Sequence, residues 1–312
     1  MQPASQEQRL GIVYGLAAYL LWGAFPLYFP LLEPAKPVEI LAHRIVWSLA
    51  AVVVVLVASG ATRSLAVVLR DRRKLKLLSA AAVLIAVNWG TFIYAVNSDH
   101  VIESSLGYFI TPIVSVAFGV FFFRERLRQW QYAALGLGAV AVALLALDYG
   151  RLPWIALILA LSFGTYGLLK KLADVGAAES LAIETLVLLV PALIYLAALQ
   201  ASGGGTFTHE SAGEMLLLVA VGPVTAVPLL FFAGAVTRVP LTVMGMLQYL
   251  APVLQFLVGL LIVGEEMPPT RWIGFGLVWI ALLVLSVDAL RASRRARAAQ
   301  PAATVPVLEP AG

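Results

Sequence analysis

Residues 107–125, GYFITPIVSVAFGVFFFRE, and residues 247–265, LQYLAPVLQFLVGLLIVGE, lie 140 positions apart and agree at points that shape a membrane helix. Pro112 falls on Pro252, Gly119 on Gly259 and Glu125 on Glu265, and further along Gly136 falls on Gly276. At nearly the same offset Trp22-Gly23 meets Phe163-Gly164. A repeat of that period divides the 312 residues into two halves.

The matched stretches belong to a chain that no soluble fold could bury. Apolar residues make up 61% and charged ones 12% of it, with a mean hydropathy of +0.93, against roughly 45–50% and about 25% in soluble domains. A spanning helix needs about 20 mostly apolar residues. Ten such stretches are predicted, at 10–32, 38–58, 75–97, 101–123, 130–147, 152–170, 180–199, 214–235, 240–263 and 271–289, so the fold class is an all-α membrane protein. The first is too long for a signal-peptide core and is read as a retained helix.

Basic residues sort by alternate loops. One side collects 17 of the 21, from Arg9 through the 63–76 and 124–128 clusters to Arg291–Arg297, and the other holds only Lys36, Arg151 and Arg271. By the positive-inside rule residues 1–9 and the tail at 290–312 are both cytoplasmic, which needs an even number of spans. The charge therefore addresses anionic lipid headgroups and not nucleic acid. The tail, basic and then Ala/Pro-rich, reads as disordered. Each half, 10–147 and 152–289, holds five helices. Because five is odd, the second enters from the opposite side and the halves are inverted. Inverted repeats are a common architecture of secondary carriers, which open one site alternately to each face.

Other chemistries find little support. There is no cysteine, and His43, His100 and His209 are too scattered for a metal motif. No cofactor is expected. A phosphate-binding Gly-x-x-x-x-Gly-Lys-Ser/Thr, a Gly-x-Ser-x-Gly and a His-Glu-x-x-His are all missing, which leaves an intramembrane enzyme a distant alternative. A passive channel is the nearer one, separated from a carrier by saturable, counter-substrate-sensitive flux. Gly11 and Gly15 form a Gly-x-x-x-Gly pair, a sign of close helix contact that a homodimer could use.

Several runs resemble a known family. AAYLLWGAFPLYF (17–29), EILAHRIVWS (39–48), NWGTFIYAVNSDHVIESSLGYFITPI (88–113), FGTYGLLKK (163–171), Glu184-Thr185 and QYLAPV (248–253) are similar to the RarD group of the EamA branch of the drug/metabolite transporter superfamily. Thr111 and Pro30 depart from its pattern. The resemblance covers about residues 8–290 and implies ten helices in two EamA repeats in the bacterial inner membrane. It also implies export of drugs such as chloramphenicol or of amino-acid-like metabolites.

Charge inside a bilayer costs at least about 2.5–3.5 kcal/mol at a helix centre, so a buried ionisable residue points to function. Arg44 and Glu184 are the two well inside spans, and they too are 140 positions apart. Arg44 is expected to attract an anionic group of the solute, and Glu184 a cationic group or a coupling proton. The competing reading is that each snorkels to an interface, Arg44 from about 9 Å and Glu184 from about 6 Å inside its span. His43 is expected to pack or sit at an interface.

A polar and aromatic set joins them as candidate substrate-binding residues: Asn88, Trp89, Tyr94 and Tyr108 in the first half, Tyr166, Gln248, Tyr249 and Gln255 in the second. Ordinary packing or an aromatic belt competes for Trp89 and Trp22. Gln248 and Gln255, seven apart, are expected on one helix face with Pro252 between them. Proline inside a span removes a backbone donor and bends the helix, so the paired Pro112 and Pro252 are the candidate hinges. Glu125 and Glu265 fall just past two helix ends, where a loop ion pair or a gate contact would suit them.

Overall fold

The computed structural model describes residues 6–123, 127–207, 211–236, 238–239, 243–244 and 247–298, with the backbone alone at 119–123, 233, 236 and 293–298. The described residues are helical throughout, without a strand. In chain order they form α1 (Gln6–Gly23), α2 (Phe25–Tyr28), a 3₁₀ turn (Phe29–Leu32), α3 (Pro37–Ala58), α4 (Thr62–Arg70), α5 (Arg72–Val96) and α6 (Val101–Phe123). Then come α7 (Gln129–Asp148), α8 (Trp154–Ala173), α9 (Ala177–Ala201), α10 (Ala212–Val236), α11 (Leu250–Val258), a π-helical turn (Gly259–Val263) and α12 (Pro269–Ala298).

Among the described residues eight helices are long and apolar enough to cross a membrane. The expected first span is instead a pair, α1 and the α2 segment, bent by 43°. Gly23 ends α1, and Pro26 and Pro30 each stand in the first turn of the next piece, where a missing N–H costs nothing. Of the expected span 240–263, residues 243–244 and 247–263 are described, Leu250–Val258 forming α11 and Gly259–Val263 its π turn, while 240–242 and 245–246 lie outside the described residues. Two further expectations change. Thr62–Arg70 is a separate helix where a loop is predicted, and α12 runs on to Ala298, so 290–298 is helical where disorder is expected.

Helix starts recur at the sequence offset: α3 and α9 begin at 37 and 177, α5 and α10 at 72 and 212, α7 and α12 at 129 and 269. α7 packs against α12, α8 against α5 and α6, α3 against α9 and α10, and α1 against α10. Leu147, Val54, Leu261 and Leu283 point outward and are exposed, as lipid-facing residues should be, while Glu39, Arg44, Asn88, Glu103, Glu184 and Asp288 are buried. With hydrocarbon outside, the polar groups have only each other to bond.

Close approach sets the helix spacing. A Cβ on Gly222 would lie 2.3 Å from the Trp47 carbonyl oxygen, so α3 and α10 touch backbone to backbone there. Gly11 and Gly15 face Arg238, Val239 and Leu247. The Gly-x-x-x-Gly pair is thus spent on a contact inside the chain. An ion pair clasps each end of the α7–α12 pair, Arg128 with Asp288 at 2.6 Å and Arg271 with Asp148 at 3.0 Å.

Candidate functional site

Arg44 stands seven residues into α3, about 10 Å from its start at 1.5 Å per residue. It is 3% exposed. Its Nε donates to Thr225 Oγ1 on α10 at 3.0 Å. That hydroxyl donates in turn to the Val221 carbonyl, which leaves a lone pair for the guanidinium. The guanidinium carbon lies 4.0 Å from the centre of the Trp89 ring and 5.4 and 5.7 Å from those of Phe25 and Phe29. Such contacts are worth about 2 kcal/mol or more when desolvated. Among the described residues no carboxylate pairs with Arg44. One turn along the same face, the Ser48 hydroxyl is buried without a partner among the described residues. Arg44 and Trp89 are therefore brought together, and the broken first span supplies the aromatic floor beneath them.

Asn88, next to Trp89 on α5, is 1% exposed and fully committed. Its Nδ2 donates to the Leu159 carbonyl and to Ser162 Oγ, both at 3.1 Å, and its Oδ1 accepts from the Tyr108 hydroxyl at 3.1 Å. One amide thus ties α5, α6 and α8 together. Tyr108 also meets Phe92 and Phe163 edge to face.

Glu184 forms a second centre on α9. Its Oε1 accepts from Ser180 Oγ at 2.7 Å and pairs with Lys170 Nζ at 3.0 Å, and its Oε2 accepts from the Tyr166 hydroxyl at 3.1 Å. Lys170 also reaches Ser180 Oγ. The cationic group expected of the solute is supplied here by the chain itself. Glu184 and Arg44 each stand seven residues into equivalent helices, and the structure joins each to its own partners.

The other candidates scatter. Tyr94 is 42% exposed and lies against the Trp154 ring at 5.7 Å, away from the Arg44 group. Gln248 precedes α11 and shares a hydrogen bond with Tyr249, which also bonds Ser286. The backbone N–H of Gln248 donates to the Met244 carbonyl at 3.0 Å, one turn back. Gln255 is buried, its Nε2 donating to the Trp22 carbonyl at 3.2 Å and its Oε1 left without a partner among the described residues. Pro112 sits within α6 and Pro252 in the first turn of α11. Glu125 and His209 lie outside the described residues.

Glu39, Glu103, Asp148 and Asp288 escaped the sequence reading because each meets its partner only in the folded chain, and Glu265, expected in a loop ion pair or gate contact, caps a helix. Glu103 on α6 takes both arms of Arg151, at 2.7 and 3.3 Å, and caps α8 by accepting from the Ile155 N–H at 3.1 Å. Glu265 caps α6 at the Ile102 N–H, 3.0 Å from Oε1. Burial pushes the Glu265 carboxyl up to about 7, Asp99 adding to the shift and the Ile102 and Val101 N–H groups opposing it. Glu103, Glu265, Arg151, Arg271, Asp99 and His100 line a polar cavity of about 440 Å³. A signal did exist: Glu39 and Glu179, and Asp148 and Asp288, also fall 140 apart.

The model of the EamA-like transporter family matches residues 9–147 and again 152–287. Protein RarD of Streptomyces exfoliatus is 54% identical over 305 residues, 98% of this chain and 97% of that one. The chloramphenicol-sensitive protein RarD of Pseudomonas aeruginosa is 30% identical over 290 residues, 91% of this chain and 96% of that one. A crystal structure of a protein 19% identical shares the fold, with a TM-score of 0.60 over 89% of this chain and 98% of the other. The chain belongs to the EamA-like transporter family, in its RarD group, and is a multi-pass transporter of small solutes in the bacterial inner membrane.

Proposed function

We propose that this transporter is a secondary active exporter that binds the anionic group of a small, amino-acid-like solute through Arg44. The observation that carries the reading is a guanidinium buried to 3% exposure with one hydrogen bond, an aromatic floor and no carboxylate partner among the described residues. A buried charge left uncompensated is costly, and a carboxylate presented to it regains both charge and bidentate geometry. Trp89, Phe25 and Phe29 would flank the solute's carbon frame.

The transport cycle is alternating access between two inverted five-helix halves, 10–147 and 152–289, in a ten-span topology with both termini cytoplasmic. Recurrent helix starts, the two family matches and the 17-to-3 loop asymmetry support this arrangement. Pro112 and Pro252 are its hinges. Glu184 is the site of the coupling proton, because its protonation would release Lys170 and loosen the α8–α9 contact. The name of the Pseudomonas relative, a chloramphenicol-sensitive protein, makes chloramphenicol a solute to include in any screen.

The test is uptake into proteoliposomes of amino acids, their neutral amides and chloramphenicol, with and without a pH gradient. Saturable flux of carboxylates, driven by the gradient, is the expected result. Linear flux unaffected by counter-substrate would identify a passive channel and end the proposal.

A further inference from the structure

A cavity of about 270 Å³ lies between the first turns of α3 and the last turns of α9, lined by Glu39, His43, Trp47, Leu196, Leu199 and Phe207 among others. Its walls are largely apolar, yet one side chain is left chemically incomplete. His43 is 5% exposed and stacks on Phe207, ring centres 4.8 Å apart. Trp47 Nε1–H donates to His43 Nδ1 at 3.3 Å. Since Nδ1 accepts, the ring is neutral and its proton stands on Nε2. That Nε2 is buried and has no partner among the described residues. A buried N–H without an acceptor costs about 1–3 kcal/mol, and such groups in native structures call for an explanation.

We propose that this cavity is a ligand site separate from Arg44, taking a neutral molecule whose carbonyl oxygen accepts from His43 Nε2–H and whose apolar body lies against Phe207, Trp47, Leu196 and Leu199. The chemistry selects against charge in both directions. Glu39 on the wall, its Oε1 held at 2.8 Å by both the N–H and the hydroxyl of Thr206, repels an anion. An ammonium carries no acceptor for the imidazole N–H, and a charge buried between largely apolar walls is costly. The preference is thus opposite to that of the Arg44 site, although the two residues are neighbours in sequence: successive side chains on a helix point about 100° apart, so His43 and Arg44 serve different clefts. An ester carbonyl of a phospholipid and an amide carbonyl of a free solute satisfy the same donor.

The experiment is equilibrium dialysis of N-propylbenzamide against the purified full-length protein in delipidated detergent micelles and in phosphatidylglycerol nanodiscs, with benzoate as the anionic control. Wild type and Arg44→Met are expected to bind the amide saturably and alike, with no competition from benzoate. His43→Phe, which keeps the ring and loses the donor, is expected to bind about tenfold more weakly, the equivalent of one lost hydrogen bond of about 1.4 kcal/mol. Trp47→Phe, which frees the imidazole proton to move to Nδ1, is expected to weaken binding severalfold and serves if His43→Phe fails to fold. Weaker amide binding in nanodiscs than in micelles assigns the site to a lipid ester, and equal binding assigns it to a free solute. Unsaturable uptake, affinity unchanged in both cavity variants, or loss of binding in Arg44→Met overturns the proposal. Because Arg44→Met is expected to abolish carboxylate transport and leave this binding intact, failure of either reading is visible without the other.

Discussion

Replacing Asn88 with leucine separates a structural amide from a solute contact. Leucine is close in volume, and the change removes three interhelical hydrogen bonds, to Leu159, Ser162 and Tyr108. Measured bonds of this kind in membranes average about 0.6 kcal/mol, so the loss is about 2 kcal/mol. Ser162 keeps its own bond to the Leu159 carbonyl, so only the Tyr108 hydroxyl is stranded. Tyr108→Phe alone removes one bond, about 0.6 kcal/mol. In the double variant that shared bond is counted once, and the pair should cost about 2 kcal/mol, less than the sum of the singles. Thermal unfolding of the purified protein in detergent gives the four corners of the cycle, and proteoliposome flux gives the functional readout. The expected outcome is lower stability with transport retained per folded molecule. Unchanged stability with transport abolished would refute the structural role and make Asn88 a solute ligand.

Gly222→Ala places a Cβ 2.3 Å from the Trp47 carbonyl oxygen and 2.4 Å from its carbon, forcing α3 and α10 apart at a cost of about 1–3 kcal/mol. Thr225 and Arg44 lie one turn from this contact on the same two helices, so transport should weaken together with stability; a variant as stable and active as wild type would contradict the packing. Arg151→Met strands the buried Glu103 carboxylate and should cost about 3–5 kcal/mol, whereas Glu103→Gln leaves an Arg151 that is 37% exposed and free to turn to water, at about 1–2 kcal/mol. Unfolding temperatures in the reverse order would refute the assignment. At Glu265 a carboxyl ordinarily near 4.5 titrates near 7 in the folded chain. The folded state therefore favours the protonated form, and stability falls as pH rises through that window. Glu265→Gln should flatten the unfolding-temperature profile between about pH 4.5 and 7, and an unaltered profile would show that another group carries it.

Hydropathy made most of the spans legible, because lipid removes the alternation that complicates soluble helices. The break after Gly23 was written in Pro26 and Pro30, whose spacing suits two helix starts better than one long helix. The amphipathic Thr62–Arg70 helix escaped because nine residues are too few for a hydropathy window. Arg44 and Glu184 were legible as buried charges, but not the difference between them. Lys170, in the last turn of α8, meets Glu184 across to α9, while nothing of opposite charge among the described residues comes to Arg44. Asn88 was legible as deep and polar, yet its three partners come from α6 and α8, and no spacing rule reaches across helices. The acids Glu39, Asp148 and Asp288 fall at span ends, where a loop reading suits a carboxylate equally well until its partner is known.

The central claim is that Arg44 recognises the anionic group of the cargo. The most direct test compares the flux of a carboxylate solute with that of its neutral amide in proteoliposomes carrying wild type, Arg44→Lys and Arg44→Met. Losing a buried charge-assisted hydrogen bond costs about 1.5–3 kcal/mol, a factor of roughly 10 to 150 in apparent affinity. The expectation is that wild type prefers the carboxylate by at least that lower factor, that Arg44→Lys retains part of the preference, and that Arg44→Met shows none while folding normally. An undiminished preference in Arg44→Met would contradict the claim.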